Sequence, residues 1–382
     1  MLLACNRPSL IVKTVLESIA TGNPPTRCTQ AEAARFMQRV EGVPEALKKR
    51  LPAIYEKTGI DYRYSAVEDY ARAPADFTFY PTHWDGDPPS TAQRNQKYRE
   101  VVPGLAERVA GDALAEADLP PGEVTHLIAV SCTGFFAPGL DIELVKRLGL
   151  PSSTQRTLIG FMGCYAAFNA MRTAHHICQH RPGARVLIVC VELCTLHFQI
   201  SQTVRTAAVN ALFSDGAAAA VFSSKDEAEA QGRLAYAGGR TLLDDDSMEE
   251  MTWDIGDTGF LMGLTSRVPK VIAGHLPGYV RALLPEDASK GDVDFWAIHP
   301  GGRAIVEQAQ DTLALTDEQV ADSFDVLRRR GNMSSPTVLF ILKRFLERHQ
   351  AARAANERGF ERGLAMAFGP GLTLEGARFE RA

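Results

Sequence analysis

The chain is poor in the features that define several protein classes. Its seven cysteines, at 5, 28, 132, 164, 178, 190 and 194, are odd in number and follow neither a disulfide framework nor a zinc-ligand spacing. They read as reduced thiols of a cytoplasmic protein. No apolar run approaches the ~20 residues of a membrane span; the longest, such as Val186 to Val191, are strand-sized. Basic residues are not in excess: the net charge is −5, so no positive field is present to hold nucleic acid or an anionic membrane. Low-complexity tracts and obvious linkers are missing too. Leu2-Leu3-Ala4-Cys5 imitates a lipoprotein cleavage box, but only four residues precede the cysteine, without the charged and apolar regions such a signal requires.

What remains is an ordinary globular balance over 382 residues, enough for two domains or one large duplicated core. Helical spacing appears over 30–40 and 44–57. Residues 73–94, rich in Pro, Asp and Thr, read as a surface loop. From about residue 95, strands and helices alternate. His126–Val130, Arg185–Val191 and Asp215–Phe222 are continuous apolar or small-residue runs, the pattern of strands covered on both faces. Cys164–Cys178 is Ala-rich with helical spacing. The second half repeats the theme. Phe295–Ile298 is a strand running into His299-Pro300-Gly301-Gly302, followed by helices to about Leu315, over Asp317–Arg329, and from Pro336 to about His349. Two closing strands, Gly363–Phe368 and Leu372–Phe379, flank a Gly369-Pro370-Gly371 turn. This predicts a duplicated α/β core, with halves at 1–225 and 226–382.

Three positions carry chemistry. Cys164, in Gly163-Cys164-Tyr165-Ala166, stands before a predicted helix, where free amides and the helix dipole favour a thiolate nucleophile. An isolated cysteine is more often a small buried hydrophobe. His299 leaves a buried strand into a glycine-rich loop, where a neutral imidazole can take a thiol proton or bond a carbonyl oxygen. Asn332 precedes a helix; asparagine is a favoured turn and cap residue, yet its amide can also donate to an oxygen that becomes an enolate.

Taken in order, Gly163-Cys164, Leu212-Phe213-Ser214-Asp215-Gly216-Ala217, His299-Pro300-Gly301-Gly302, Gly331-Asn332-Met333-Ser334-Ser335 and Phe368-Gly369-Pro370-Gly371-Leu372-Thr373 resemble the motif set of the chalcone synthase-like (type III) polyketide synthases. The resemblance runs from about residue 18 to 381. It implies an α/β thiolase fold with two βαβαβ halves in five αβαβα layers, assembled as a homodimer. It implies Cys164 as nucleophile, His299 and Asn332 as the pair that decarboxylates malonyl-CoA and holds the enolate, and Phe213 as gatekeeper. Acyl-CoA thioesters are then substrates, and neither cofactor nor metal is needed. By position Arg50, Lys57 and Ala304 match the CoA site, while Ala53 stands where the family has an arginine. Cys132, Thr133, Ala137, Cys194, His197, Trp253 and Ser334 match the cavity. Met262 aligns with a second gatekeeper phenylalanine, with Phe260 nearby. The resemblance is closest to bacterial members that take fatty acyl starters and release alkylpyrones or alkylresorcinols. A malonyl-only tetrahydroxynaphthalene-type enzyme shares Cys132. A ketoacyl-ACP synthase of the third kind shares the Cys-His-Asn set, but normally has Gln-Ala-Asn after the histidine and Gly-Gly-Gly in the last loop. A thiolase needs a second cysteine there, which residues 367–371 do not supply. A papain-like hydrolase does not share the surrounding motifs, and a non-catalytic homologue is expected to have lost one of the three reactive residues.

Overall fold

The computed structural model describes residues 12–83, 86–200 and 203–382; the Cys5 box lies outside them. In chain order the strands are β1 (Lys13–Gly22), β2 (Thr26–Thr29), β3 (Tyr62–Ser65), β4 (His126–Ser131), β5 (Gln155–Gly160), β6 (Arg185–Leu193), β7 (Asp215–Lys225), β8 (Leu234–Leu243), β9 (Met251–Gly256), β10 (Gly259–Leu264), β11 (Phe295–Ile298), β12 (Arg362–Gly369) and β13 (Thr373–Arg381). The helices are α1 (Gln30–Arg39), α2 (Glu45–Lys48), α3 (Leu51–Glu56), α4 (Thr91–Glu116), α5 (Leu140–Leu148), α6 (Ala166–His180), α7 (Val204–Asn210), α8 (Glu227–Ala230), α9 (Val268–Leu283), α10 (Arg303–Leu313), α11 (Asp317–Arg330) and α12 (Thr337–Ala354).

Side-chain alternation explains the layering. Along β6, Leu187, Val189 and Val191 enter one core with α4 and α5. Val186, Ile188 and Cys190 enter a second core with α6 and α12. Along β12, Ala365 and Ala367 face that same middle core, whereas Leu364, Met366 and Phe368 face a third, shared with α9 and α10. Period-two strands buried on both faces thus sandwich α6 and α12 between two sheet halves, and helices cover the outside. The halves join where Val15 of β1 bridges Ala235 of β8, giving one nine-stranded order, β11-β12-β13-β8-β1-β7-β6-β4-β5.

Two local expectations change. The helix expected over 44–57 is broken between α2 and α3. Pro52, which has no N–H, stands in the first turn of α3 and starts a new helix instead of continuing the old one. The loop expected over 73–94 ends early, because Ser90 and Gln93 form a capping box that starts α4 at Thr91.

Candidate active site

β4 and β6 are parallel neighbours, so Cys132 and Cys194, each one residue past its strand, emerge at the same end. α6 begins just after Cys164, and α12 begins five residues after Asn332. The sandwiched helices therefore bring these two residues together from opposite halves of the chain. Gly163 has φ +80, and a Cβ there would meet Pro370 Cδ at 2.6 Å, so glycine is what lets the chain turn into Cys164 against the closing loop.

Cys164 is buried. Burial pushes its thiol up to about 11, while hydrogen bonds from Ser334 and Asn332 pull it down. Desolvation by burial therefore outweighs the helix-terminus effect expected from sequence. His299 is fully buried, which drives its imidazole down to about 3, and neither ring nitrogen has a hydrogen-bond partner among the described residues. Two unpaired nitrogens in a dry site are costly unless a substrate or a proton meets them. Asn332 Nδ2 donates to the Gly301 carbonyl at 3.1 Å, two residues from His299. Asn332 Oδ1 accepts from Ser334 N–H at 2.8 Å, and this contact holds Ser334 at φ +58. Ser334 Oγ then stands 3.6 Å from Cys132 Sγ.

Two cavities meet here. The first, about 330 Å³, is walled by Cys132, Cys164, Cys194, His197, Phe213, Trp253, Phe260, Met262 and Ser334, among others. The second, about 340 Å³, is walled by Lys57, Cys164, Phe213, Arg303, Ala304 and Asn332, with Met262 and a largely apolar remainder. Cys164, Phe213 and Met262 belong to both walls. His299 lies on neither; it is buried behind Gly301, whose Cα-side face it approaches to within 3.8 Å of a built Cβ.

Other positions singled out in the sequence take different places. Thr133 is buried behind the first wall: its hydroxyl donates to Glu192 at 2.7 Å, and its carbonyl accepts from His197 Nε2 at 2.8 Å. Because Nε2 donates, His197 Nδ1 is free to accept from Phe260 N–H at 2.9 Å, and the ring stacks on Phe260 at 4.1 Å. Burial holds this imidazole neutral, down to about 3. Trp253 Nε1 donates to the Cys132 carbonyl at 2.8 Å. Ala137 is exposed and off both walls, as is Arg50. Ala53 is exposed on α3.

Two residues were missed. Arg303 stands on the second wall beside Lys57, and the only sequence signal was a basic residue next to the His299 loop. Glu192, fully buried, accepts from Cys132 N–H at 2.9 Å, Ser131 Oγ at 3.2 Å and Ser335 Oγ at 2.7 Å, as well as from Thr133. It clips β4, β6 and the lead-in of α12 together. Its signal was a lone acid ending an apolar run.

A Cys thiol shared by two cavities, backed by amide donors, is the layout of an acyl-carrying transferase. Family models for the chalcone and stilbene synthases match nearly the whole chain, the N-terminal domain over residues 9–226 and the C-terminal domain over 237–380. The chain belongs to the chalcone and stilbene synthase family. It is a type III polyketide synthase, an acyltransferase with the thiolase fold. It is 32% identical over 369 residues to "Alpha-pyrone synthesis polyketide synthase-like Pks18" of Mycobacterium tuberculosis, covering 96% of this chain and 91% of that protein. It is 34% identical over 378 residues to bisdemethoxycurcumin synthase of Oryza sativa, covering 94% and 90%. Its fold superposes on the crystal structure of PKS-I from the brown alga Ectocarpus siliculosus with a TM-score of 0.93 at 38% identity, covering 98% of this chain and 100% of that one. Among the described residues no helix is long and apolar enough to cross a membrane.

Proposed function

We propose that this family member extends a fatty acyl starter with malonyl-CoA and closes the chain to an alkylpyrone or alkylresorcinol. The observation that carries the reading is the meeting of two cavities at Cys164. CoA thioesters enter through the second cavity. The Cys164 sulfur attacks the starter carbonyl, and CoA leaves as its thiol. His299, whose ring nitrogens are unpaired, takes the thiol proton and passes it to the leaving group. Malonyl-CoA then binds with its thioester oxygen against the His299 ring and the Asn332 amide. Its carboxyl C–C bond breaks, carbon dioxide departs, and the electron pair becomes an enolate held by two neutral donors. The enolate carbon attacks the acyl-Cys164 carbonyl and expels the thiolate. The chain, now two carbons longer, rests in the first cavity.

Lys57 and Arg303 hold the CoA phosphates at the mouth of the second cavity. Arg303 supplies the cation that the family's arginine, here Ala53, does not. Ala304, in the first turn of α10, offers main-chain amides that Gly302 has no side chain to cap. The enzyme works without a resident cofactor, in the cytoplasm, and as a homodimer. β5 is the edge of the nine-stranded sheet and exposes Gln155 through Leu158, with Leu158 49% exposed; a second copy covers it. Ala137, exposed and off both walls in the single chain, then faces that copy. The halves 1–225 and 226–382 act as one catalytic unit, the first carrying the nucleophile and the second its donors.

A second reading, the malonyl-only synthase, is favoured by Cys132, whose sulfur shares Ser334 with Cys164. One experiment separates the two. Purified protein is incubated with labelled malonyl-CoA alone and with short, aromatic and long acyl-CoAs, and the products are identified by mass. Long-chain pyrones or resorcinols are expected; product from malonyl-CoA alone, with no gain from acyl-CoA, overturns the fatty acyl reading.

A further inference from the structure

A buried arginine sits behind the gatekeeper. Arg63, in β3, is 2% exposed and borders the first cavity. A guanidinium taken out of water is expensive to keep, and this one makes no direct ion pair among the described residues, the buried Asp215 meeting its charge only at longer range. Its Nη1 donates to two main-chain carbonyls, those of Asn210 and Phe213, the latter at 3.0 Å. The Nε and Nη2 atoms have no acceptor. The guanidinium lies by two aromatic rings, with its carbon 5.4 Å from the Tyr55 centroid and 5.9 Å from that of Tyr70.

The carbonyls it holds belong to the segment that carries the gate residue Phe213, which is bridged to the segment of Asn332. Phe213 forms a parallel bridge with Asn332. Asn332 N–H donates to the Leu212 carbonyl at 3.0 Å, and the Asn332 carbonyl accepts from Ser214 N–H at 2.8 Å. Just after Arg63, the chain leaving β3 grips the same segment. Tyr64 N–H donates to Ser214 Oγ at 2.8 Å, and Ala66 N–H donates to Asp215 Oδ2 at 2.7 Å. Gly331, just before Asn332, packs so closely that a Cβ there would meet Arg63 Cγ at 3.3 Å.

We infer that Arg63 is a positioning residue for malonyl decarboxylation and condensation: by fixing the carbonyls of residues 210 and 213, it aims the Phe213 ring and, through the bridge, the Asn332 amide. This rests on the roles proposed above for those two residues. Lysine is a poor replacement, because its flexible ammonium lacks the rigid planar fork that fixes Nη1 between the two carbonyls and the flat face that lies by two rings.

The test is a double-mutant cycle on the full chain with Arg63→Lys, Asn332→Ala and both together. Three quantities are read: acyl transfer to Cys164 by intact mass, decarboxylation of malonyl-CoA, and thermal midpoint. Arg63→Lys is expected to slow decarboxylation by about tenfold or more, as misplacement of a site group does. Acyl loading should fall less than about threefold, and the double variant should be no slower in decarboxylation than Asn332→Ala alone. Equal losses in loading and decarboxylation, multiplying effects in the double variant, or native rates for Arg63→Lys overturn the inference. If Arg63→Lys does not fold, Arg63→Gln takes its place; failure of both to fold assigns Arg63 to folding and also overturns it. Undiminished decarboxylation by Asn332→Ala would instead sink the site reading beneath it, whatever Arg63 does.

Discussion

The two cavities that share Cys164 are nearly equal in volume but built from different materials. The second is bordered by short helices, the turn entering α10 and two cations, Lys57 and the Glu307-paired Arg303, on a largely apolar surface. The first is bordered by strand ends and by the β9–β10 hairpin, with three cysteines, five aromatic rings and a neutral imidazole. One wall suits a charged carrier that must come and go. The other suits an uncharged chain that must stay and fold. On the proposed function, the contrast separates delivery from shaping, with the reaction placed where the two walls share Cys164.

The largest effect should come from removing what the cavities share. Cys164→Ala is expected to abolish acyl loading and condensation alike, by on the order of 10⁴-fold or more; normal product from that variant would assign the nucleophile elsewhere. Next is the base. Burial lifts the Cys164 thiol, and on the proposed function His299 takes its proton, so the His299→Ala variant should shift iodoacetamide labelling of Cys164 to higher pH. The sign follows from the raised thiol: burial holds it at about 11, so losing an imidazole that takes its proton should leave labelling to climb only at higher pH, and the native protein should label at lower pH than the variant. Identical pH profiles would detach His299 from the sulfur. A smaller effect is expected at the carrier end. Lys57→Ala combined with Arg303→Ala should raise KM for CoA thioesters by about tenfold with little change in kcat, and leave CoA-free thioester analogues unaffected. An equal change with both substrate types would break the assignment of the second cavity. Trp253→Gly should alter the starter range or ring product while total turnover stays within about tenfold, since the substitution opens space in a close-packed wall. An unchanged product set would mean the first cavity does not shape the chain.

Much of this was readable in the sequence, for physical reasons. β4, β6, β7 and β11 are buried on both faces, so each appears as an uninterrupted apolar or small-residue run. The three reactive residues sit at punctuation points where a strand or helix begins or ends, and those points carry glycine or proline. What stayed hidden depends on partners far away in the chain. β5 exposes Gln155 to Leu158 and so shows no apolar pattern. The strand-forming tendency of β9 and β10 is satisfied only by each other and by the cavity they cover. Arg63 and Glu192 look like surface charges until the tertiary structure surrounds them. Arg303 became a candidate only when α10 placed it beside Lys57. The pull of the helix end on Cys164 was legible, but the larger opposing effect of burial was not, because burial is not a property of neighbouring letters.

The hairpin that closes the first cavity pairs strand to strand only with itself. It is fastened to the body by an indole N–H on the Cys132 carbonyl, an imidazole on the Phe260 amide and main-chain bonds at its turn to Thr91. Such a part behaves like an interchangeable lid. Its inward residues can vary without disturbing the ladders that hold the molecule together, so changes at this flap can reshape the first cavity while the folding core, Cys164, His299 and Asn332 stay in place.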